Sequence, residues 1–415
     1  MLLYDHHVHA FGCLHPEDIW SYFHKTGRER QGHLDWYAKT YELAFLEKPD
    51  WEKWFSLKSL EEFSRYYLCE APLSFAQFQA KFNLIIALCD LGPQSIDLLE
   101  LAMERHALEG LRQVEYRFPL PVRLSQRDMY VYFELVSQLL QKVNERHPGQ
   151  FTATAAFTLP REIEWYPLHY QWLKLWMTKH PKKAHFFTAV DFSYFEENDE
   201  IIEKKAFFSQ IKQDNFQNPD LALAILVHVG ETFESIPAGL SMLRVLEAAT
   251  FGVDRIGHGS VLGFTFEQNL LRPQTQTLSI GDLQGIQSRM KAHGLTWDYE
   301  VEKQTIIEEK NILSELQEQV LKRIKKAGTP FEHCPSSSSR LSGSPKSTLG
   351  AFLNHNINTV ICSDDPGLFN TTLQKEFNFA RCHYPALNIE SQNQLAKSVR
   401  SEVLSGKIQV DSQLF

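Results

Sequence analysis

Eight short apolar or β-branched runs, separated by stretches with helical patterns, constrain the fold of this chain more than any other feature. They fall near residues 2–8, 111–117, 152–159, 186–192, 223–229, 254–257, 329–334 and 358–363. A strand with one wet face alternates apolar and polar residues. A run such as Leu223-Ala224-Ile225-Leu226-Val227 does not alternate, so both of its faces must be buried, as in a parallel sheet covered by helices. Eight such strands suit a closed (β/α)8 barrel of the TIM type. The expected class is therefore α/β, with residues 1–415 as a single barrel domain. An open doubly wound sheet is the competing arrangement of the same pattern. Two connections exceed what a barrel needs. Residues 17–106 are rich in aromatics and read as a helical cap over the mouth of the barrel. Residues 262–298, between the sixth and seventh strands, read as an insertion that covers the site or makes a subunit contact, or as a solvated excursion.

The strand ends carry the chemistry. The first run ends in His7-Val8-His9, and residues two apart on a strand share a face. Two imidazoles projecting together suit a metal ion, although a histidine-rich edge strand is the plainer reading of that pair alone. Strand five ends in His228-Val229-Gly230-Glu231, strand six in Gly257-His258-Gly259, and strand eight in Ser363-Asp364-Asp365-Pro366. Each fragment has an ordinary explanation, such as a hydrogen-bonded structural histidine or an Asp-Asp-Pro turn. In a barrel, however, all strand C-termini converge on one face. Jointly they indicate one site.

Composition narrows the function classes. A formal charge of −9 argues against a nucleic-acid backbone as partner, which needs clustered Lys and Arg. The six cysteines show no CxxC spacing, and with no signal peptide or long apolar run the chain reads as cytoplasmic, with no membrane partner. H-E-x-x-H is absent, as is the H-x-E with P-C-x-x-C arrangement of other zinc deaminases. The serine run after Cys334-Pro335 lacks the G-x-S-x-G elbow of a serine nucleophile and reads as a polar loop lining a pocket. His6 and His333 fall on the opposite strand face from the motif residues and read as structural, and Glu115 and Arg117 read as a polar layer inside the barrel.

In their order, HVH at 7–9, VEYR at 114–117, HVGE at 228–231, RIGHG at 255–259, CPSSSS at 334–339 and SDDP at 363–366 resemble the adenosine deaminase family of the amidohydrolase superfamily. The resemblance implies that His7, His9, His228 and Asp364 bind one Zn²⁺. It implies Glu231 as proton shuttle, His258 against the attacking water, and Asp365 facing the purine ring. It places Phe11, Asp191, Tyr194, Gly230 and Ser337 on the substrate side. No lysine ends strand four, where binuclear relatives carry a bridging one, so a single zinc is expected. Zinc lowers the pKa of a bound water from about 16 to about 7, which hydrolytic deamination at purine C6 requires. The expected activity is conversion of adenosine or 2′-deoxyadenosine to the inosine product and ammonia.

Two positions depart from the family pattern. Phe11 stands where the family has an aspartate for the ribose 5′-hydroxyl, and Tyr194 stands where it has a glycine whose backbone meets the purine. Residues 10–14 also faintly resemble AMP deaminases, so AMP or a modified adenine nucleoside or nucleotide is the alternative substrate; Lys25, Arg28 and Arg30 are candidate phosphate partners. A non-catalytic purine-binding protein on the same barrel, and a metal-dependent amide or ester hydrolase, are the readings from other classes. The intact donor and acid set disfavours the first, and the HVGE motif the second.

Overall fold

The computed structural model describes residues 3–57, 59–196, 199–231, 236–265, 279–295, 306–342 and 345–404. Among them eight strands form one sheet in the order β1 to β8: Leu3–His9, Leu111–Pro119, Ala153–Thr158, Phe187–Asp191, Ala224–Val229, Arg255–His258, Phe331–His333 and Thr359–Ile361. The registers of β1 with β2, β2 with β3, β5 with β6 and β6 with β7 are parallel. Every strand expected from the sequence is present, and the sheet is a (β/α)8 barrel. Every residue of β3, β4 and β5 is buried, which is why their sequences do not alternate.

The ring closes through the chain just after β8. Val8 and Asp364 form a parallel bridge. The His9 N–H donates to the Asp364 carbonyl at 2.9 Å and the Asp364 N–H to the His7 carbonyl at 2.8 Å. This backbone pairing brings residues more than 350 positions apart into register. A side-chain tie reinforces it: the Ser363 hydroxyl donates to Asp5 at 2.6 Å. Inside the barrel, Glu115 accepts a hydrogen bond from Thr188 at 2.8 Å, and Arg117 is buried.

The described residues divide into two compact units. One comprises Met1–Val190, Cys334–Leu341 and Ile361–Phe379; the other comprises Asp191–His333, Ser342–Val360 and Ala380–Phe415. The long first connection lies in the first unit and is helical, with helices Pro16–Thr26, Gln31–Phe45, Phe75–Cys89 and Ile96–Leu108 as its main elements. Phe23, Tyr37, Trp54 and Phe63 are buried there and pack edge-on or tilted against one another. Three hydrogen bonds tie its middle to loops that follow strands: Tyr67 Oη to the Leu14 carbonyl (2.6 Å), the Cys69 N–H to Leu368 (2.8 Å) and the Leu73 N–H to Arg340 (2.8 Å). All three acceptors lie beyond strand C-termini, so this segment borders the end of the barrel where barrel enzymes keep their chemistry.

In the second unit, helix Ile280–Ala292 occupies part of the 262–298 insertion. Its Arg289 pairs with the buried Glu247 of helix Ala238–Thr250 through two contacts of 2.8 and 2.5 Å. The remainder of that insertion, 266–278 and 296–298, lies outside the described residues. None of the described helices is long and apolar enough to cross a membrane.

Candidate metal centre and acid–base groups

In the first unit the donors converge because a two-residue period meets a neighbouring strand end. His7 and His9 share one face of β1, while Val8 between them is fully buried on the other. Asp364, held beside them by the closing bridge, has φ +67°. That left-handed backbone is costly for a non-glycine residue and is characteristic of functional positions. It delivers one carboxylate oxygen to both rings. His7 Nε2 and His9 Nε2 each lie 3.3 Å from Asp364 Oδ1.

This spacing is informative. A charge-assisted N–H···O hydrogen bond is usually about 2.7–2.9 Å long, so 3.3 Å to both rings is slack for an ion pair. Ligands held tetrahedrally at about 2.0–2.1 Å from one zinc lie about 3.3 Å apart. The residues thus fit a small divalent ion: two imidazole nitrogens and one carboxylate oxygen, spaced as ligands of a common centre, with His7 and Asp364 buried and His9 half-buried. Asp5 lies earlier on β1, with a register shift between it and Val8. It is buried, and its carboxyl is pushed up to about 6 by burial, against the opposing Ser363 hydroxyl.

Asp365 is buried beside this group. Burial, and then the neighbouring Asp364 carboxylate, hold its carboxyl well above the usual range, with His7 opposing; a cation on Asp364 would act in the same direction as His7. Among the described residues, Asp365 Oδ1 has no hydrogen-bond partner, as suits a group reserved for a ligand. The turn after β1 is moulded against it. Gly12 accepts from the Gly367 N–H at 2.9 Å, and a Cβ at Gly12 would collide with the Asp365 carboxyl. Gly12→Ala is therefore expected to displace Asp365, costing about 1–3 kcal/mol by overpacking and lowering activity without lowering metal content. Chemical denaturation together with metal analysis checks this; a variant as stable and active as the parent would refute it. Phe11, on the same turn, is buried, and Ser337 is buried in the turn that follows β7.

The second unit carries the other groups. His228, near the end of β5, has its Nδ1 3.2 Å from the buried Asp191 at the end of β4. A carboxylate on Nδ1 fixes the tautomer that leaves Nε2 as a donor and makes it more basic. The sequence put Asp191 on the substrate side; here it lies against the back of a candidate ligand. Tyr194 is 38% exposed in the loop that follows β4. His258 ends β6 with φ +68°. Its Nε2 lies 3.6 Å from Glu231 Oε1, and its ring centroid is 5.0 Å from that of His228. Glu231 follows Gly230, whose φ is +67°. A Cβ at Gly230 would lie 2.7 Å from Val245, so only glycine makes this turn.

Two contributors escaped the sequence reading. Asp5 is tied to the chain next to Asp364 by the Ser363 hydroxyl, and a register shift between Asp5 and Val8 interrupts the two-residue period that joins His7 and His9. Glu196, whose carboxylate binds the backbone of Gly230 and Glu231, carried no local signal, because its partners are 34 and 35 residues away.

Comparison with known proteins supplies the remaining context. No curated protein matches the chain. An Arabidopsis N6-mAMP deaminase matches with a TM-score of 0.60 at 15% identity, covering 99% of this chain and 96% of that one. Arabidopsis ADAL complexed with GMP matches at 0.60 and 15%, over 99% and 95%. An amidohydrolase of Burkholderia ambifaria with bound Zn matches at 0.58 and 12%, over 100% and 87%. At these identities the likeness speaks for the fold. The model of the family described as adenosine deaminase matches residues 196–408, just over half of the chain, from the loop after β4 through the HVGE, RIGHG and SDDP segments. The chain belongs to the adenosine deaminase family, and with it to the metal-dependent deaminases of the amidohydrolase fold.

Proposed function

We propose that this protein deaminates a 6-aminopurine hydrolytically, taking adenosine or 2′-deoxyadenosine to the inosine product and ammonia, with one Zn²⁺ per chain. The observation that carries the reading is the pair of histidines spaced as co-ligands around a single Asp364 oxygen. His228, with Asp191 against its Nδ1, is taken as a further ligand beside His7, His9 and Asp364, as the family resemblance implies. Bound by these residues, the ion would supply a water activated for attack near neutral pH.

The chain's own residues then divide the proton work. His258 orients the attacking water and stabilises its developing charge. Water adds at C6 as ring nitrogen N1 accepts a proton from the Glu231 carboxyl. Glu231 then takes one of the water's protons and passes it to the exocyclic amine; the C6–N bond breaks as ammonia leaves, and the remaining C6 hydroxyl proton passes to Glu231, which leaves the C6 carbonyl and restores the carboxyl. Assistance of this type is worth about 10²–10⁴ in rate. Asp365 faces N7, where a buried carboxyl that retains its proton can donate.

A second reading, a 5′-monophosphate or N6-modified adenine substrate, is favoured by one feature. The turn after β1 presents the apolar, buried Phe11 where the family's aspartate holds the ribose 5′-hydroxyl. The Arabidopsis relatives of this fold act on N6-mAMP or were crystallised with GMP and IMP, which is compatible with that reading.

Ammonia release from zinc-loaded protein separates the two. Adenosine, 2′-deoxyadenosine, AMP and N6-mAMP are compared, with guanine and cytosine nucleosides as controls. Turnover of the nucleosides is the expected result. Turnover confined to the monophosphates would transfer the assignment to the second reading, and no release from any adenine compound by stoichiometrically loaded protein would overturn both.

A further inference from the structure

We infer that Glu196 is a positioning residue for the reaction: its carboxylate clamps the main chain of Gly230 and Glu231 and thereby holds the Glu231 carboxyl beside His258. This rests on the role proposed above for Glu231. Glu196 lies five residues beyond Asp191 and is 6% exposed. Its Oε2 accepts the Gly230 N–H at 2.9 Å and its Oε1 the Glu231 N–H at 3.0 Å. One carboxylate thus takes two consecutive amides, which fixes the orientation of the peptide unit that carries Glu231. Hydrogen bonds to an ionised acceptor are about twice as strong as neutral ones, and burial makes their loss more costly.

The clamp is itself anchored. The Glu196 carbonyl accepts from Arg244 Nη1 at 2.9 Å, and the Arg244 Nη2 reaches Glu200 at 2.5 Å. Glu200 also pairs with Arg289 at 3.0 Å, and Arg289 with Glu247. Arg244 and Glu247 are on helix Ala238–Thr250, and Arg289 on helix Ile280–Ala292. A continuous series of ion pairs and hydrogen bonds therefore runs from two helices outside the strands to the backbone of the acid–base residue. The need for such a clamp follows from local geometry. The turn at Gly230 has left-handed backbone, and a glycine there is free to adopt other conformations. A displacement of about 1 Å at a reacting group can cost about 100-fold in rate.

The test compares Glu196→Gln and Glu196→Asp with the parent, all as full-length zinc-loaded protein. The glutamine amide keeps one acceptor but turns an NH₂ toward the other N–H; aspartate keeps the charge but is one methylene short. In the Gln variant kcat should fall about 10–100-fold with KM within about threefold. Zinc content should match the parent, and faster amide exchange should be confined to the peptide spanning 226–231. The Asp variant should be intermediate in kcat and in exchange. Unchanged kcat, or unchanged exchange at 226–231, would overturn the inference. Faster exchange throughout the barrel together with zinc loss would also overturn it, by making Glu196 a general structural residue. If the parent itself releases no ammonia from any adenine compound, the proposed function fails. Exchange and zinc content then still decide whether the clamp exists.

Discussion

Glu231→Gln is expected to keep its zinc and lose about 10²–10⁴ of the turnover. The substitution preserves shape and the backbone N–H that Glu196 accepts, and Glu231 is not among the residues proposed above as zinc ligands. What disappears is a group that can hold a proton for N1 and move it to the departing ammonia. An amide beside His258 can still fill the space at 3.6 Å, so KM should change far less than kcat, the signature of an interaction made chiefly in the transition state. Steady-state kinetics paired with metal analysis decide the matter. Retained activity would remove Glu231 from the mechanism, and zinc loss would make it part of the metal site instead.

For His228→Ala the pattern reverses: metal content should fall below stoichiometry, and turnover should vanish with it. Loss of an outer partner such as Asp191 typically costs about 10–100-fold in metal affinity, and removal of the donor itself should cost more. A second readout is independent of activity. A ligand at about a thousand times its Kd stabilises the folded state by about 4 kcal/mol, so chelation should lower the Tm of the parent clearly and that of the variant little. Full zinc occupancy in His228→Ala, or identical chelator sensitivity in the two proteins, would exclude His228 as a ligand. These two variants separate the metal from the acid–base group, which single-variant kinetics alone would leave entangled.

The sequence by itself determined a large part of this protein. The runs of β3, β4 and β5 were legible because burial on both faces leaves few polar positions, and that signal is local. His7 and His9 share a face because a strand's period is two, and their pairing is legible in three residues. Family membership was readable from the order of short motifs at strand ends. The substrate-side residues were less accessible. Asp191 was read as a substrate contact; its carboxylate also meets His228 Nδ1 at 3.2 Å, a contact set by the neighbouring strand's register and invisible in either segment alone.

Only the tertiary structure decided the rest. The 3.3 Å spacing of both imidazoles to one Asp364 oxygen arises from the backbone bridge between Val8 and Asp364 and from a left-handed φ at Asp364. Neither leaves a mark in sequence at single-residue resolution. The collision that forbids a side chain at Gly12 depends on the chain just after β8 coming back against the turn after β1. Glu196 acts through backbone amides, whose chemistry is the same whatever the side chain, so no motif in the acceptor segment could announce its partner. Periodicity and composition report what each residue needs from its own neighbours in the chain. The site depends on contacts closed between distant segments, and those exist only once the barrel has formed.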